Sequence, residues 1–207
     1  MLISTSFLSS NNVAKDLKKL NDTNTDFIHV DVMDGKFVEN KTMPFSEMKN
    51  IYKYTSKRLD VHLMVKNAKK YIMDYATLNT EYMSIHIESD DVSNNLELIK
   101  NCGIRCGLAI NPNTDVKELV PYLPLIDIVI VMSVEPGKGG QEFITETEEK
   151  IKELKELINE YKLNILISVD GGVNNETKEL CSDANILVAG NYILSGNDYQ
   201  ERIDSLR

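Results

Sequence analysis

Histidine and aspartate occur together near the ends of three short apolar segments of the chain. His29 and Asp31 end one segment, Asp60 and His62 lie near the end of the next, and Asp170 follows a third. Residues two apart on a strand point the same way, so each His/Asp pair projects together. Imidazole and carboxylate groups in combination suit a divalent ion such as Zn²⁺, Fe²⁺, Mn²⁺ or Co²⁺.

A structural interpretation of these residues competes with the metal site. A single His-x-Asp pair is more often a hydrogen-bonded pair inside a protein than a ligand set. Three strand ends that converge on one rim of a barrel favour a metal site. The alternative, that these residues are hydrogen-bonded pairs in the barrel interior, stays open at this point. The third histidine, His86, ends another apolar segment and is predicted not to be a ligand.

Glycines follow the last three apolar segments, in the groups Gly137-Lys138-Gly139-Gly140, Gly171-Gly172 and Gly190-Asn191. Glycine lets backbone N–H groups approach an anion closely, and barrel enzymes often bind phosphate at their late loops. Each group alone is typical of a tight turn. Their clustering makes a phosphate site an equal alternative.

The elements that must position these residues are short strands alternating with amphipathic helices. The predicted strands are Leu2–Phe7, Asp26–Asp31, Arg58–Met64, Tyr82–His86, Arg105–Ile110, Ile126–Met132, Asn164–Val169 and Asn185–Ala189. The predicted helices are Val13–Leu20, Phe45–Tyr54, Ala68–Leu78, Val92–Asn101, Thr114–Val120, Thr145–Tyr161, Asn175–Leu180 and Tyr199–Leu206. Eight such units predict an α/β protein with a closed (β/α)8 TIM barrel, formed by residues 1–207 as a single catalytic domain. A doubly wound open sheet is the alternative.

Composition limits the classes of molecule that this chain is expected to bind and the compartment in which it is expected to occur. The 207 residues carry a formal net charge of −9, which disfavours nucleic acid and anionic membranes but not a small anionic substrate. No apolar run approaches the roughly 20 residues of a membrane span, and the N-terminus does not resemble a signal peptide. The cysteines Cys102, Cys106 and Cys181 form no Cys-x-x-Cys pair. Reduced thiols and a cytoplasmic location are therefore predicted.

The motifs resemble those of the ribulose-phosphate 3-epimerase family, in family order over nearly the whole chain. The matching segments are Ser6-Phe-Leu-Ser9, His29-Val-Asp-Val-Met-Asp-Gly35, Asp60-Val-His-Leu-Met-Val65, Gly107-Leu-Ala-Ile-Asn-Pro112, Val131-Met-Ser-Val-Glu-Pro-Gly137, Gly139-Gly-Gln141 and Val169-Asp-Gly-Gly-Val173. The resemblance implies a ribulose-phosphate-binding type of barrel. It also implies a small-molecule sugar phosphate as substrate and a homo-oligomeric assembly.

The resemblance further implies a role for each site residue. One divalent ion per chain would be held by His29, Asp31, His62 and Asp170, with Asp31 and Asp170 as the acid/base pair. Substrate contacts would come from Ser6, Met33, His62, Met64, Met132, Gly137, Gly139, Gly140, Gly171, Gly172, Gly190 and Asn191. The three methionines would form an apolar wall, although their pattern also fits ordinary core.

The implied chemistry explains this set of residues. Epimerisation beside a ketone removes a proton from one face and returns one to the other, through an enediolate. A carboxylate is too weak a base for an unactivated ketone, so stabilisation of the developing charge by a metal is needed. Inversion needs two acid/base groups, one on each face.

Some positions depart from the family pattern, and other functions stay open. Lys138 stands where phenylalanine is usual, Glu39 where proline is usual, Asn191 where serine is usual, and Ser4-Thr5 where Ala-Pro is common. Lys138 could contact the sugar phosphate or point to solvent. Allulose-6-phosphate 3-epimerase and a non-catalytic sugar-phosphate-binding barrel are alternatives. The related synthases and decarboxylases carry Asp-x-Lys-x-x-Asp on the third strand, and this chain lacks that lysine and second aspartate.

Overall fold

Eight parallel strands close into a barrel in the computed structural model, which describes residues 1–207. Each strand pairs with the next along the chain, and the last pairs with the first. The strands are β1 (Leu2–Ser6), β2 (Phe27–Met33), β3 (Leu59–Met64), β4 (Thr80–His86), β5 (Arg105–Ile110), β6 (Ile128–Met132), β7 (Leu166–Asp170) and β8 (Ile186–Ala189). The predicted closed barrel is confirmed, and the open sheet is not formed.

Alternation along the strands decides which side chains reach the barrel interior. On β2, Ile28, Val30 and Val32 join the large apolar core beneath the helices. His29 and Asp31 therefore turn inward, because successive side chains leave a strand on opposite faces. The register between β2 and β3 then sets the height of these side chains in the barrel. His29 pairs with Asp60 and Asp31 pairs with His62, so the members of each pair lie at the same level.

The barrel interior changes character from bottom to top. The lowest level is an apolar cluster of Tyr82, Ile128 and Ile186, with Leu2 and Phe27 packed against it. The next levels hold buried polar side chains, namely Ser4, Ser6, His29, Asp60, His62, Ser84, His86 and Ser168. The polar side chains thus lie toward the carboxyl ends of the strands, where barrel enzymes place their active sites.

The helices surround this barrel, and several are shorter than the sequence predicts. They are α1 (Val13–Asn21), α2 (Phe45–Met48), α3 (Lys69–Tyr75), α4 (Val92–Asn101), α5 (Thr147–Glu160), α6 (Asn191–Leu194) and α7 (Tyr199–Asp204). Single 3₁₀ turns at Ile51–Lys53, Val116–Leu119, Leu123–Leu125 and Lys178–Cys181 complete the connections. None of these helices combines the length and apolar character needed to cross a bilayer.

Three helix predictions are wrong in type or extent. The predicted helix 45–54 breaks after Met48, where the Asn50 amide donates back to the carbonyls of Ser46 and Glu47. Side chains that bond the local backbone in this way compete with helix propagation. The predicted helix 114–120 is only the 3₁₀ turn Val116–Leu119, which stops before Pro121, since proline has no backbone N–H with which to continue the hydrogen-bonded turns.

The third error concerns the segment 175–180, and a further element was missed. Asn174 Oδ1 accepts the N–H groups of Glu176 and Thr177, and the segment forms only the 3₁₀ turn Lys178–Cys181 before the chain enters β8. Helix α6, one turn directly after β8, was not predicted. Connections this short allow eight units to fit in 207 residues.

Helix α5 is the longest, and an apolar stripe along it contacts the barrel. Ile151, Leu154 and Ile158 are buried on that stripe. Leu154→Ala should lower the free energy of unfolding by about 2–5 kcal/mol, because it leaves a cavity in a close-packed core. Leu125→Ala, at a side chain that is 43% exposed, should cost no more than about 1 kcal/mol. Equal losses in denaturant titrations would contradict this packing.

Candidate active site

Two histidines and two aspartates from three strands meet inside the mouth of the barrel. His29 and Asp31 come from β2, His62 from β3 and Asp170 from β7, and one nitrogen or oxygen of each lies within 4.8 Å of the others. His29 Nε2 lies 3.5 Å from both Asp31 Oδ1 and Asp170 Oδ2. His62 Nδ1 lies 3.3 Å from Asp170 Oδ2 and 3.8 Å from Asp31 Oδ1. The residues predicted to act together are thus adjacent.

The donor atoms of this cluster fit a divalent ion. His29 Nε2 and His62 Nδ1 are fully buried and have no hydrogen-bond partner, although both point at carboxylate oxygens. Buried polar atoms are normally satisfied, so such a pair indicates a missing partner. Ligands at about 2.0–2.2 Å from a tetrahedral ion are separated by roughly 3.3–3.6 Å, close to the observed spacing. His29, Asp31, His62 and Asp170 could therefore hold a metal ion.

The other nitrogen of each imidazole has a buried partner. His29 Nδ1 lies 2.8 Å from Asp60 Oδ2, which also accepts a hydrogen bond from Ser4 Oγ. His62 Nε2 lies 2.8 Å from His86 Nε2. Histidine ligands in metal sites usually bond a further group in this way, which fixes the ring orientation.

Sequence reasoning gave these partners no role. Asp60 was noted only for its direction, and His86 only as a strand end that is not a ligand. Glu88, whose Oε2 lies 3.1 Å from His86 Nδ1, was not considered. The available signal was spacing, since His86 and Glu88 are two apart like His29 and Asp31.

Electrostatics within the cluster favour the charged forms of all four groups in the metal-free chain. Burial disfavours charge, but Asp60, Asp31 and Asp170 raise the pKa of His29 well above its ordinary value. Burial also lowers the pKa of His62, but the nearby carboxylates of Asp170 and Asp31 outweigh burial and raise that pKa. Burial raises the pKa values of Asp31 and Asp170, but the attraction of His29 outweighs burial, so both pKa values are lowered.

His86 and Glu88 form a second titratable pair beside the cluster. Burial lowers the pKa of His86 to about 4, although its hydrogen bond with Glu88 acts the other way. Burial raises the pKa of Glu88, but hydrogen bonds from His86, Thr114 and Asn111 outweigh it and lower the pKa to about 2. At neutral pH His86 is therefore uncharged and Glu88 is a carboxylate.

A cavity of about 250 Å³ opens directly above the carboxylates. Ser6, Asp31 and Asp170 line it, and Ser6 Oγ donates to Asp31 Oδ2 at 2.7 Å. The Asp31 and Asp170 side chains remain 7% and 15% exposed. His29 and His62 do not line the cavity and are fully buried beneath the carboxylates, so predicted contact of His62 with substrate lacks direct access here.

The remaining predicted substrate residues surround the same cavity. Met33, Met64 and Met132 line its apolar side, each at most 5% exposed. The backbone and polar side is formed by the predicted residues Gly137, Gly139, Gly140, Gly171, Gly172, Gly190 and Asn191. The structure thus brings together the full predicted set, His62 excepted.

Gly171 and Gly172 follow β7 in a turn that only glycine fits. Gly172 has φ +65°, and a Cβ there would lie 2.6 Å from the backbone nitrogen of Phe143. Gly171 has φ +119°, and a Cβ would lie 2.4 Å from a methyl of Val134. Positive φ and close approach, of the Phe143 backbone to Gly172 and of the Val134 side chain to Gly171, require these glycines.

The loop after β6 is held from two sides. Gln141 Nε2 donates to the carbonyls of Glu135 and Lys138, and Asn40 Nδ2 donates to the carbonyl of Gly137 at 2.8 Å. The Lys138 residue is exposed at the cavity rim, and Glu39 is exposed on the facing loop. The departures at Lys138 and Glu39 therefore lie at the entrance of the cavity and not among the buried groups.

Comparison with known proteins agrees with the fold and the site. A family model described as the ribulose-phosphate 3 epimerase family matches residues 2–194. Ribulose-phosphate 3-epimerase of Helicobacter pylori strain J99 is 38% identical, with 100% of this chain and 97% of that protein aligned. The Bacillus subtilis enzyme of the same name is 37% identical, with 100% and 95% aligned.

Solved structures with little sequence identity share the barrel. Tryptophan synthase of Mycobacterium tuberculosis aligns with a TM-score of 0.71 at 14% identity, covering 99% of this chain and 90% of that one. The 3-hexulose-6-phosphate synthase of Salmonella typhimurium gives 0.63 at 14% identity, covering 100% and 96%. At such identities the likeness concerns the fold alone.

The family model and the full-length relatives identify this (β/α)8 barrel as an isomerase acting on carbohydrates, which confirms the predicted enzyme class. The chain belongs to the ribulose-phosphate 3-epimerase family.

The charged cluster predicts the pH dependence of stability without metal. His29 and His62 have raised folded pKa values, so their contribution is complete below the unfolded value of about 6.5 and is lost as pH rises through the folded value. Asp31 and Asp170 have lowered folded pKa values, so their contribution to stability is complete above the unfolded pKa of about 3.9 and is lost as pH falls through the folded values. The folded pKa of His86 is lowered to about 4, so the unfolded chain binds this proton more readily and the free energy of unfolding rises with pH up to about 6.5.

In chelator, the free energy of unfolding should therefore peak near pH 6.5 and fall as the pH rises above it, through the raised pKa values of His29 and His62. Each histidine still protonated only in the folded state contributes a slope of about 1.4 kcal/mol per pH unit. His62→Gln should flatten this fall. Urea titrations across the range test it, and a free energy that rises from pH 6.5 to 8.5 would exclude the charged cluster.

Proposed function

We propose that this chain is a metal-dependent epimerase that interconverts D-ribulose 5-phosphate and D-xylulose 5-phosphate, a reaction of the pentose phosphate pathway. The observation that carries the proposal is the cluster of two imidazoles and two carboxylates at the floor of a cavity with an apolar side and a glycine side. The relatives named ribulose-phosphate 3-epimerase support the substrate. Residues 1–207 would act as one catalytic domain.

One divalent ion per chain, Zn²⁺, Fe²⁺, Mn²⁺ or Co²⁺, would be held by His29 Nε2, His62 Nδ1, Asp31 and Asp170. The two unpartnered buried nitrogens and the mixed nitrogen and oxygen donors support this set. When bound, the ion would supply Lewis-acid stabilisation of the negative charge that develops on the substrate oxygens.

Asp31 and Asp170 would perform the proton transfers at carbon 3. They come from β2 and β7 and both face the cavity, which suits one carboxylate removing the proton and the other returning one to the opposite face. Ser6 Oγ donates to Asp31 Oδ2 and so fixes that carboxylate, leaving its other oxygen directed at the imidazoles. Two positioned carboxylates are what inversion through an enediolate requires.

The three methionines would limit solvent around the reacting carbons. Met33, Met64 and Met132 are nearly buried yet line the cavity. Their thioethers offer no strong hydrogen-bond donor or acceptor that competes for the enediolate oxygens. An apolar wall also raises the strength of nearby electrostatic interactions, because it excludes water.

The phosphate would bind at the glycine side of the cavity. Gly171, Gly172, Gly190 and Asn191 line that part of the cavity, and the tight turn at Gly171–Gly172 exposes backbone there. Lys138 at the rim would add positive charge near the phosphate if its side chain turns inward. Contact with the sugar phosphate and exposure to solvent both stay predictions for this residue. The free cysteines suit a reducing compartment, the cytoplasm, and homo-oligomerisation is part of the proposal.

The first test is turnover. Metal-loaded protein should convert ribulose 5-phosphate to xylulose 5-phosphate in a coupled assay, and chelation should lower the rate by more than about 100-fold, since Lewis-acid stabilisation supplies several kcal/mol. Asp170→Asn should lower kcat by about 100- to 10,000-fold. Much faster turnover of allulose 6-phosphate would show that the substrate is wrong, and no turnover of either would favour a binding protein.

The second test is metal content. His62→Ala should retain less than about a tenth of the wild-type metal after gel filtration, because it removes one of four ligands. Asp34→Asn is the matched control from the same segment as Asp31. Its carboxylate accepts only backbone N–H groups, from Lys36, Phe37 and Lys66, so metal content should stay at the wild-type level. Elemental analysis measures both, and unchanged metal in His62→Ala would remove His62 from the set.

A further inference from the structure

A chain of hydrogen bonds leads away from the site through groups that the proposed reaction does not use. His62 Nε2 lies 2.8 Å from His86 Nε2, and His86 Nδ1 lies 3.1 Å from Glu88 Oε2. Both imidazoles are fully buried, and their ring planes are inclined by only 24°. The proton of one ring can therefore point along the lone pair of the other.

The far end of this chain fixes the direction of every bond in it. Glu88 Oε1 accepts from the backbone N–H of Asn111 and from the Thr114 hydroxyl, so Glu88 acts as an acceptor-only carboxylate. His86 Nδ1 must then carry the proton that faces Glu88. In a neutral imidazole the other nitrogen is an acceptor, which leaves His86 Nε2 to accept from His62 Nε2.

We propose that His86 and Glu88 are positioning residues that hold the proton of His62 on Nε2 and so present the Nδ1 lone pair to the cluster with Asp31 and Asp170. This inference rests on the proposed metal site. The chain ending in Glu88 does for His62 what Asp60, 2.8 Å from His29 Nδ1, does for His29. Neither His86 nor Glu88 belongs to the group that could hold a metal.

The surroundings keep the chain rigid. Lys150 Nζ on α5 donates to the carbonyls of Asn111, Pro112 and Thr114, which holds the loop after β5 against Glu88. The Phe37 ring, 4.6 Å between centroids, packs beside His86. With no competing solvent around the two imidazoles, the tautomers are set by Glu88.

The experiment measures Zn²⁺ affinity by chelator competition in the full chain. His86→Leu removes the acceptor for His62 and should raise the Kd about 10- to 100-fold, the usual effect of losing a ligand's hydrogen-bond partner. Stoichiometry at saturating Zn²⁺ should remain one ion per chain. His86→Gln places an oxygen near the former Nε2 and should stay within about threefold of wild type. Glu88→Gln, which keeps the shape but can donate as well as accept, should lie between them.

Ser84→Ala is the matched control. Ser84 is buried on β4 two residues before His86, and its hydroxyl has no partner, so the Kd should be unchanged. A second readout is the NMR spectrum of Zn²⁺-loaded protein with isotope-labelled histidine, where only three imidazoles contribute. It should show coupling between the Nε2 nitrogens of His62 and His86 in wild type. The coupling should weaken in Glu88→Gln, which no longer fixes the proton of His86 on Nδ1, and unchanged coupling in that variant counts against the proposal.

The outcomes separate this inference from the proposed function. Wild-type protein that binds no Zn²⁺ overturns both. Tight binding by wild type with unchanged Kd in His86→Leu and Glu88→Gln overturns the positioning role alone. If His86→Leu does not fold, Glu88→Gln decides the matter, and a Kd equal to that of Ser84→Ala counts against the proposal. Loss of affinity equal in His86→Gln and His86→Leu also overturns it, because packing and not the acceptor would then be responsible.

Discussion

Mutual compensation of buried charge is the interaction on which the rest of this structure depends. His29, His62, Asp31 and Asp170 share a space in which burial disfavours charge on each of them, yet their attraction outweighs that cost. Removing one member of such a buried set leaves its partners uncompensated, which is far more costly than never burying them. The cluster is thus a constraint on the fold as well as a ligand set, and the barrel must hold three strands in fixed register to satisfy it.

The site is divided between rigid and adaptable elements. All four cluster residues lie on strands, where hydrogen bonding to both neighbouring strands fixes their heights. The glycine-rich side of the cavity lies on loops after β6, β7 and β8. The proposed proton transfers would need atoms placed to within a fraction of an ångström, whereas the proposed binding of phosphate by backbone N–H groups would tolerate small movements. The loop after β6 is nevertheless tied by Asn40 and Gln141, so it starts from a defined position.

The sequence predicted the strands better than the helices for a physical reason. A buried strand needs apolar side chains on its outer face, and that period of two is visible in Ile28, Val30 and Val32. Even so, β2 runs to Met33, two residues beyond its predicted end, because Val32 and Met33 continue the alternation. Short connections were misjudged where local hydrogen bonds, such as those of Asn50 and Asn174, decide between a helix and a 3₁₀ turn.

The metal-type cluster was predictable, but the contacts of its imidazoles with side chains on neighbouring strands were not. Motif and strand position identified His29, Asp31, His62 and Asp170. The contact between His62 and His86 depends on the register of β3 against β4 and on which nitrogen of each ring faces the other. Spacing along one strand carries no such information. Partners across strands appear only when the barrel closes.

The interior of the barrel is asymmetric around its axis, and the asymmetry has an electrostatic consequence. Strands β2 and β3 each contribute two ionisable side chains two residues apart, His29 with Asp31 and Asp60 with His62, and His86 at the end of β4 is followed by Glu88. The next arc of the barrel, on and just beyond β5 and β6, is apolar and is formed by Ala109, Ile130, Met132 and Val134. An apolar arc beside an ionic one has few dipoles that can reorient to screen the cluster. Charge that develops on a substrate between the two arcs would therefore interact mainly with the fixed groups of β2, β3 and β7, which is the condition under which preorganised electrostatics stabilise a transition state most.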